Sequence, residues 1–462
     1  MVVAGGGPAG YMAAIAAAEA GATDLWILEA TGEPLHKVRI SGGGRCNVTH
    51  ACWDPRALVG HYPRGGQALR GPFSRFATGD AVSWFAAHGL ALVEEPDGRM
   101  FPRSNRSSSV VATLRHAAIA AGVRCCEGAA LQAAEPLPGG GFRLRLRAGQ
   151  EIEAGRLVLA TGSHPSGLRI AAALGHAPVP SVPSLFTLAL GRHPLTDLAG
   201  VAVDPVLLEL EPLPPDPSGR LVAPSAPSAP SAPSAPSAPS DSAAAAPAPA
   251  GGGAALRPRR SGSGRRGPQR HRQQGPLLIT HWGFSGPAIL RLTAFAARDL
   301  RAWGYRASLR IDWTGAALDA SALEERFRAA RCEQARRQLG TARPWPALGR
   351  RLWLHLLEAQ GVDPSGRWAD LGRGDQQRLQ EALRASRYRI TGRGPFGEEF
   401  VSAGGVPLGE VDLATMESRR CPGLHLVGEL LDVDGVTGGF NFQHCWSSGW
   451  LAGQALAAAG LT

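Results

Sequence analysis

The chain is short of lysine, and its cysteines follow no pattern. Lys37 is the sole lysine, so arginine supplies almost all of the basic charge. Seven cysteines are scattered as Cys46, Cys52, Cys125, Cys126, Cys332, Cys421 and Cys445. None forms a C-x-x-C, and no Cys/His group has zinc spacing, so a dithiol oxidoreductase motif and a structural zinc site are both excluded. An odd, unpatterned set also argues against a disulfide framework and for a reducing, cytoplasmic compartment. The adjacent Cys125 and Cys126 are expected to pack in the core. No apolar run is long enough to span a bilayer. The chain opens directly on a strand–turn–helix pattern, so no signal peptide is expected before it, although the first strand is short enough to suggest missing N-terminal residues. Asp432 and Asp434 lie close together but lack the ligand spacing and terminal Glu of a calcium loop, so no metal site is expected.

What is present begins with size. A length of 462 residues is enough for two or three domains with ample core, and 44% hydrophobic residues is ordinary for a globular protein. The net charge of +10 is concentrated. Arg257, Arg259, Arg260, Arg265, Arg266, Arg270 and Arg272 crowd one stretch with no acid among them. That stretch follows a repeat of Ala-Pro-Ser units and an Ala/Pro/Gly-rich run. Such composition cannot bury enough apolar surface to offset its ordering entropy, so a disordered loop over residues 212–275 is expected. The arginine preference, with abundant Ala, Gly and Pro, fits the coding bias of a GC-rich genome. A basic loop touching nucleic-acid phosphates is the alternative.

The first turn organises the rest. Met1-Val-Val-Ala runs into Gly5-Gly6-Gly7-Pro8-Ala9-Gly10, an alanine-rich helix follows, and a second apolar strand Leu25-Trp-Ile-Leu28 ends on Glu29. This is the dinucleotide fingerprint in a βαβ context. Gly5 makes the tight turn, Gly7 lets backbone approach a pyrophosphate, and Gly10 brings helix and strand together. The helix N-terminus offers N–H groups to the anion, and Glu29 stands where a carboxylate can bond ribose hydroxyls. Two other matches, Gly262–Gly267 and Gly392–Gly397, lead into no apolar helix and read as loops.

Further along, Ser41-Gly42-Gly43-Gly44-Arg45-Cys46-Asn47 offers backbone donors, a fixed cation and an amide, and can lie flat against a ligand. Residues 55–125 read as mostly helical, with His88 and His116 at the surface or in helix packing. Strands follow, ending in the continuously apolar Leu157-Val-Leu-Ala160 and the small exit Thr161-Gly162, the mark of a buried parallel strand. Leu277-Leu-Ile-Thr280-His281-Trp282-Gly283 is a strand running into a turn, with helices at residues 288–300, 321–360 and 374–387. A last dense glycine region holds the apolar strand ending in Gly428-Glu429 and the loop Thr437-Gly438-Gly439-Phe440-Asn441. Ser447-Ser448-Gly449 is expected to open the final helix.

In these motifs the chain resembles the YhiN/BaiN-type flavoproteins, described as NAD(P)/FAD-dependent or aminoacetone-oxidase-like oxidoreductases. The matching pieces are Gly5–Gly10, Ile40–Asn47, Ala160–Gly162, residues 280–287, Ala403–Val406, Gly428–Gly435 and Thr437–Phe442. The resemblance implies an α/β fold: a Rossmann-like, glutathione-reductase-like FAD domain with a parallel sheet, split into residues 1–185 and 391–462. Residues 186–390 would form an inserted β-barrel-like and helical domain over the flavin. It implies that Gly5, Gly7, Ala9 and Gly10 hold the pyrophosphate and Glu29 the adenosine ribose. Lys37 and Ser41, Gly43, Gly44, Arg45, Cys46 and Asn47 would flank the cofactor. Ala130, Thr161 and Gly162 would line it, and Gly428, Glu429, Gly438, Gly439, Phe440 and Asn441 would approach the ribityl chain and ring. The low-complexity stretch, and the short segment after Gly162, depart from the pattern.

The expected function is an FAD-dependent oxidoreductase acting on a small molecule, with hydride transfer to or from the flavin. No second fingerprint leads into a helix, so NAD(P)H would visit transiently rather than own a domain. His281, Cys46 and His444 are the candidates for catalysis, although Cys46 lacks the partner that a redox disulfide needs. The competing readings are a flavoprotein acting on RNA through its arginine block and a non-catalytic FAD-binding protein.

Overall fold

The computed structural model describes residues 1–213, 271–345, 347–394 and 401–460. Its centre is a parallel sheet. Strand β1 (Val2–Ala4) leads through helix α1 (Pro8–Glu19) to β2 (Trp26–Leu28), and helix α2 (His36–Gly44) follows. Two further strands, β3 (Arg124–Cys126) and β4 (Leu157–Leu159), come from the middle of the first half. Helix α3 (Pro287–Ala302), strand β5 (Leu424–Leu426) and helix α4 (Phe440–Gly460) come from the second half. The strands lie in the order β5-β4-β1-β2-β3, all parallel, with the short pair Val411–Asp412 and Glu417–Ser418 added antiparallel beyond β5. Val2–Ala4 and Leu157–Leu159 are wholly buried, as continuous apolar runs in a covered parallel sheet should be.

Helix α1 is apolar all round, with every residue from Ala9 to Ala17 buried, because it is covered on both sides. The sheet lies on one side and α4 on the other. Small residues set that helix pair: a Cβ on Gly449 would stand 2.5 Å from the Ala9 carbonyl oxygen, and one on Gly453 2.6 Å from that of Ala13. The two helix backbones meet without side chains between them, which brings the last helix of the chain against the first.

A second, antiparallel sheet occupies the middle of the chain. Its strands run Ser386–Ile390, Ala307–Asp312, Ala202–Pro212, His271–Thr280, Gly283–Ser285, Leu188–Ala189 and Gly392–Arg393. It shares a core with helices Ala320–Glu333, Arg350–Ala359 and Arg373–Ala385, filled by Phe327 and the stacked indoles of Trp353 and Trp368. Helix α3 bridges the two bodies: Ile289, Leu292 and Ala296 face this core, and Ala294 packs into that of the parallel sheet.

Several expectations need correction. Residues 55–125 are interrupted by a small sheet of Thr49–His50, Arg99–Pro102 and Leu92–Glu94, placed where apolar Met100 and Phe101 are buried. Most of the loop expected over residues 212–275 lies outside the described residues, and the described margins are strands. Pro212 ends one strand, and His271 to Gly275 open its partner, with Leu210 opposite His271, because Leu208 and Leu210 are drawn into the core. Arg272 lies on that strand; the other members of the arginine block lie outside the described residues. Cys125 does not pack in the core. It sits exposed on the edge strand β3, where the Tyr11 hydroxyl donates to its sulfur at 3.6 Å. The final helix begins at Phe440, well before Ser447, since Gly438 and Gly439, both at positive φ, provide the break.

Candidate functional site

The sequence motifs converge because they leave the same edge of one sheet. Ala4, Leu28, Leu159 and Leu426 are level in the register of four adjacent parallel strands. The residues that follow them are Gly5, Glu29, Ala160-Thr161-Gly162 and Val427-Gly428-Glu429, so all stand at the carboxyl edge, where open α/β sheets bind ligands. Gly5 takes φ +116° with Ala160 close behind it. Gly7 is the N-cap of α1 and carries no side-chain cap, Pro8 fills the position that needs no N–H, and no acid occupies the first turn. The N–H groups of Ala9 and Gly10 are left facing outward at the positive end of the helix dipole. Glu29 is held rigidly: Gly6 N donates to one oxygen at 2.8 Å, and Thr31 N and Oγ1 donate to the other at 2.8 and 2.9 Å. Ala130 sits beside this turn, since Ala129 N donates to the Glu29 carbonyl at 2.7 Å.

The second group lies across the cleft. Lys37 on α2 reaches the Glu429 carboxylate at 2.7 Å. Burial works against its charge, but Glu429 more than offsets this and its pKa is raised. A Cβ on Gly162 would lie 3.8 Å from the same carboxylate. Helix α2 comes apart at Ser41, Gly42 and Gly43, and the ribbon through Gly44 presents backbone rather than side chains. Ser41 turns its hydroxyl back to the Val38 carbonyl. Arg45 is not a spare cation: it pairs with Glu95 and Asn105, and its guanidinium lies 3.9 Å over the Phe101 ring. Cys46 is fully buried, and burial pushes its thiol up to about 12, so it stays protonated and is no nucleophile.

The start of α4 closes the site. Gly439 packs on the backbone of Thr49, and Trp446 Nε1 donates to the Val48 carbonyl at 2.9 Å. Asn441 spends its amide on Gly435, donating to its carbonyl and accepting from its N–H at 3.0 and 2.8 Å. His444, five residues past Gly439, is buried against Gly428, whose carbonyl lies 3.2 Å from Nε2. Burial pushes its pKa down to about 4, so the ring is neutral. His281 is brought to none of this: it is exposed at the tip of the turn between two antiparallel strands and has no hydrogen-bond partner among the described residues.

Three buried polar atoms in this region lack a partner among the described residues: Asn47 Oδ1, Thr161 Oγ1 and His444 Nδ1. Such atoms are costly unless something meets them. All three belong to residues singled out from sequence.

Other residues here carried no sequence signal. His61 stacks on Phe440 with ring centres 4.1 Å apart and planes 9° from parallel, and His50 lies 4.6 Å from the same ring. Arg64 pairs with buried Asp434, which also accepts from Ser184 at 2.8 Å, and Arg64 donates to the Ala294 carbonyl of α3 at 2.7 Å. Arg298 of α3 grips Asp432 through both oxygens at 2.7 Å. These pairs fasten α3 to the loop before α4, and use the two aspartates that a calcium reading would have claimed. Burial raises the Asp434 pKa although Arg64 opposes it. No metal-binding cluster occurs among the described residues. A separate open depression of about 750 Å³, lined by His88, Arg103, Ser109 and His116, shares no residue with the site.

Over residues 1–455 the chain matches the family described as HI0933-like protein Rossmann domain. A 3-dehydro-bile acid delta(4,6)-reductase from Clostridium scindens is 29% identical over 464 residues, covering 98% of each protein. A ribosomal RNA dihydrouridine synthase from Escherichia coli is 26% identical, covering 99% of this chain and 98% of that protein. Among solved structures, a 3-ketosteroid delta1-dehydrogenase from Sterolibacterium denitrificans aligns over 99% of both chains at 12% identity with a TM-score of 0.46. No helix among the described residues is long and apolar enough to cross a membrane. The chain belongs to the HI0933-like Rossmann family and is an FAD-dependent oxidoreductase.

Proposed function

We propose that this oxidoreductase reduces a carbon–carbon double bond conjugated to a carbonyl in a small, largely apolar molecule. The observation that carries the reading is the full-length relationship to a reductase whose named substrate holds a ketone and ring unsaturation. At the start of α4, beside the glycines expected to approach the redox end, the buried Phe440 ring packs against two imidazoles, His61 and His50.

The chain's residues fit FAD in defined roles. Ala9 and Gly10 N–H groups bind the pyrophosphate across the open face of Gly7, and Glu29 takes the adenosine ribose beside Ala130. Thr161 Oγ1, Asn47 Oδ1 and His444 Nδ1 are the buried atoms a polar cofactor would satisfy. The backbone ribbon of Gly43 and Gly44 and the N-terminus of α4 flank the redox end, where free N–H groups favour an electron-rich carbonyl. Lys37 and Glu429 neutralise one another at the rim. His444 acts as a neutral, buried support rather than a catalyst, and Cys46 as packing. Bound FAD supplies the two-electron hydride donor or acceptor. The domain limits proposed with this reading are residues 1–185 and 391–462 for the FAD part and 186–390 for the inserted part.

An RNA substrate finds no support among the described residues: Arg272, the described member of the basic block, faces Glu209 at 3.8 Å. The test is turnover of 3-oxo-4-ene and 3-oxo-4,6-diene steroid acids with NADH or NADPH, followed by loss of enone absorbance. Saturated product confirms the reading. Turnover of an alcohol or amine with no enone accepted removes it, and salt-sensitive RNA reduction in its place would restore the RNA reading.

A further inference from the structure

We propose that the cavity shared by Arg56 and Arg70 receives the 2′-phosphate of NADPH, the reductant, with the exposed indole of Trp53 as the plate for its adenine. The proposal rests on the reductase reading only in that such an enzyme needs a reductant.

The cavity measures about 380 Å³ and is lined by Asp54, Pro55, Arg56, Arg70, Gly71 and Ser74. Two guanidinium groups therefore share it with one carboxylate. That carboxylate is engaged with backbone: Asp54 caps the short helix Pro55–Leu58 and accepts from Arg56 N at 2.8 Å. Ser74 spends its hydroxyl hydrogen on the Gly71 carbonyl at 2.7 Å, so the arginines are the side-chain donors left. Neither arginine side chain has an ion pair or hydrogen-bond partner among the described residues, whereas Arg45, Arg64 and Arg298 are all paired. Guanidinium groups match phosphate oxygens in a two-point fork. A phosphate monoester, close to a dianion at neutral pH, suits two of them better than the singly charged phosphates of a pyrophosphate bridge do.

The cavity is also placed for this ligand. Both arginines stand on anchored backbone. Leu58, and Phe73 of the helix Arg70–Arg75, are buried in the core of the parallel-sheet body, and Phe73 packs on Tyr62 with ring centres 5.3 Å apart. The Tyr62 hydroxyl donates to the Phe440 carbonyl at 2.6 Å. The segment that carries Trp53 and Arg56 leaves the start of α4 and returns to it: His50 lies 4.6 Å from the Phe440 ring at one end, and His61 4.1 Å from it at the other. Trp53 is three residues from His50 and Arg56 five from His61, spans of at most about 11 and 18 Å. An extended dinucleotide held here by its adenosine end can reach the glycines expected at the redox end. Trp53 is 55% exposed, and its indole has no partner among the described residues, so a purine can stack on it.

In the reaction so served, the dihydronicotinamide gives up a hydride and leaves as NADP+. The two electrons of that hydride are the pair delivered to the β-carbon of the enone, and water supplies the proton for the α-carbon. NADH has the same adenine but no 2′-phosphate, so the two arginines make NADPH the preferred donor.

The test mixes the full-length, FAD-loaded protein anaerobically with NADPH or NADH and follows bleaching of the flavin against reductant concentration. The wild type should prefer NADPH. Arg56→Gln and Arg70→Gln should each raise the NADPH concentration giving half the limiting rate roughly 10-fold, with the limiting rate and the NADH response unchanged. Trp53→Leu should weaken both reductants alike, by about 5-fold or more. Calorimetric titration of the oxidised protein with adenosine 2′-monophosphate gives a readout free of turnover: the wild type should bind it, and both glutamine variants should bind it at least about 10-fold more weakly. FAD content and denaturant midpoint of each variant report folding. No NADPH preference in the wild type, an unchanged NADPH response in the folded arginine variants, or equal losses toward NADPH and NADH overturns the assignment. If the NADPH pattern holds while no enone is reduced, the docking site stands and the reductase reading falls. If enones reoxidise the photoreduced flavin but NADPH is not preferred, the reductase reading stands and the docking site falls.

Discussion

Replacing Gly7 by Ala should separate FAD binding from folding. Gly7 has φ −86° and ψ −177°, an ordinary extended conformation that alanine adopts freely. A Cβ built there meets nothing closer than the Ala160 carbonyl oxygen at 4.0 Å. As an N-cap, alanine is worse than glycine by about 0.5–1 kcal/mol. It also restricts the unfolded chain, which returns about 0.4–1 kcal/mol. The two terms nearly cancel, so the FAD-free protein should keep its stability within about 0.5 kcal/mol. The new methyl, however, stands on the face proposed to take the pyrophosphate. Forcing it against a ligand costs about 1–3 kcal/mol, or roughly 5- to 150-fold in Kd. Urea unfolding of the stripped protein gives the first number, and quenching of FAD fluorescence on titration gives the second. At FAD concentrations near 100 times the wild-type Kd, the wild type gains about 2.7 kcal/mol from the ligand and the variant much less. The companion Gly10→Ala is the control. Its Cβ would stand 2.0 Å from the Gly5 carbonyl oxygen, so it must destabilise even the stripped protein. A Gly7→Ala protein that binds FAD like the wild type, or that loses 2 kcal/mol or more without FAD, refutes this placement of the pyrophosphate.

Other consequences follow from burial and pairing. Arg64→Leu leaves Asp434 buried and unpaired, and should lower unfolding stability by about 3–5 kcal/mol; changing both Arg64 and Asp434 to Leu should recover part of that, read by denaturant midpoints. For His444, the folded pKa of about 4 lies below that of the unfolded chain, so the unfolded state takes up the proton first. Its stabilising contribution is complete above about pH 6.5 and is lost as pH falls toward 4, on the order of 3 kcal/mol, and His444→Gln should flatten the pH dependence of unfolding over that window. Iodoacetamide at pH 8 should label exposed Cys125 and Cys332 in the native protein and spare buried Cys46, Cys421 and Cys445, as read by peptide mass mapping; rapid Cys46 labelling contradicts its buried, protonated state.

The sheet-edge motifs were legible because they obey local rules. A strand that must end at a ligand needs a small, tightly turning exit, and Gly5, Thr161-Gly162 and Gly428 each show it at the end of an apolar run. That the sheet is parallel followed from continuous apolar runs such as Leu157–Leu159, whereas the strand order came only with the structure. The start of α4 was misread for an equally local reason. Phe440-Asn441-Phe442-Gln443-His444 has no capping residue and mixes aromatic with polar side chains, and only tertiary partners, such as the Thr49 hydroxyl bonded to Gln443, make its buried polar face acceptable. Cys125 was misplaced because a short apolar strand looks alike at the centre and at the edge of a sheet. The docking of α3 gave no signal, since it rests on Arg64–Asp434 and Arg298–Asp432, and no periodicity encodes such pairs. Arg45 looked like a ligand cation only because Glu95 and Asn105, its partners, lie far along the chain.

The reductase reading is tested most directly by one anaerobic half-reaction. The FAD-loaded protein is photoreduced, mixed with a 3-oxo-4-ene steroid acid in the absence of oxygen, and followed at the flavin's visible band. Return of the oxidised spectrum with one saturated product formed per flavin is the predicted result. A flavin that stays reduced with every enone offered, yet reoxidises at once in air, would contradict it.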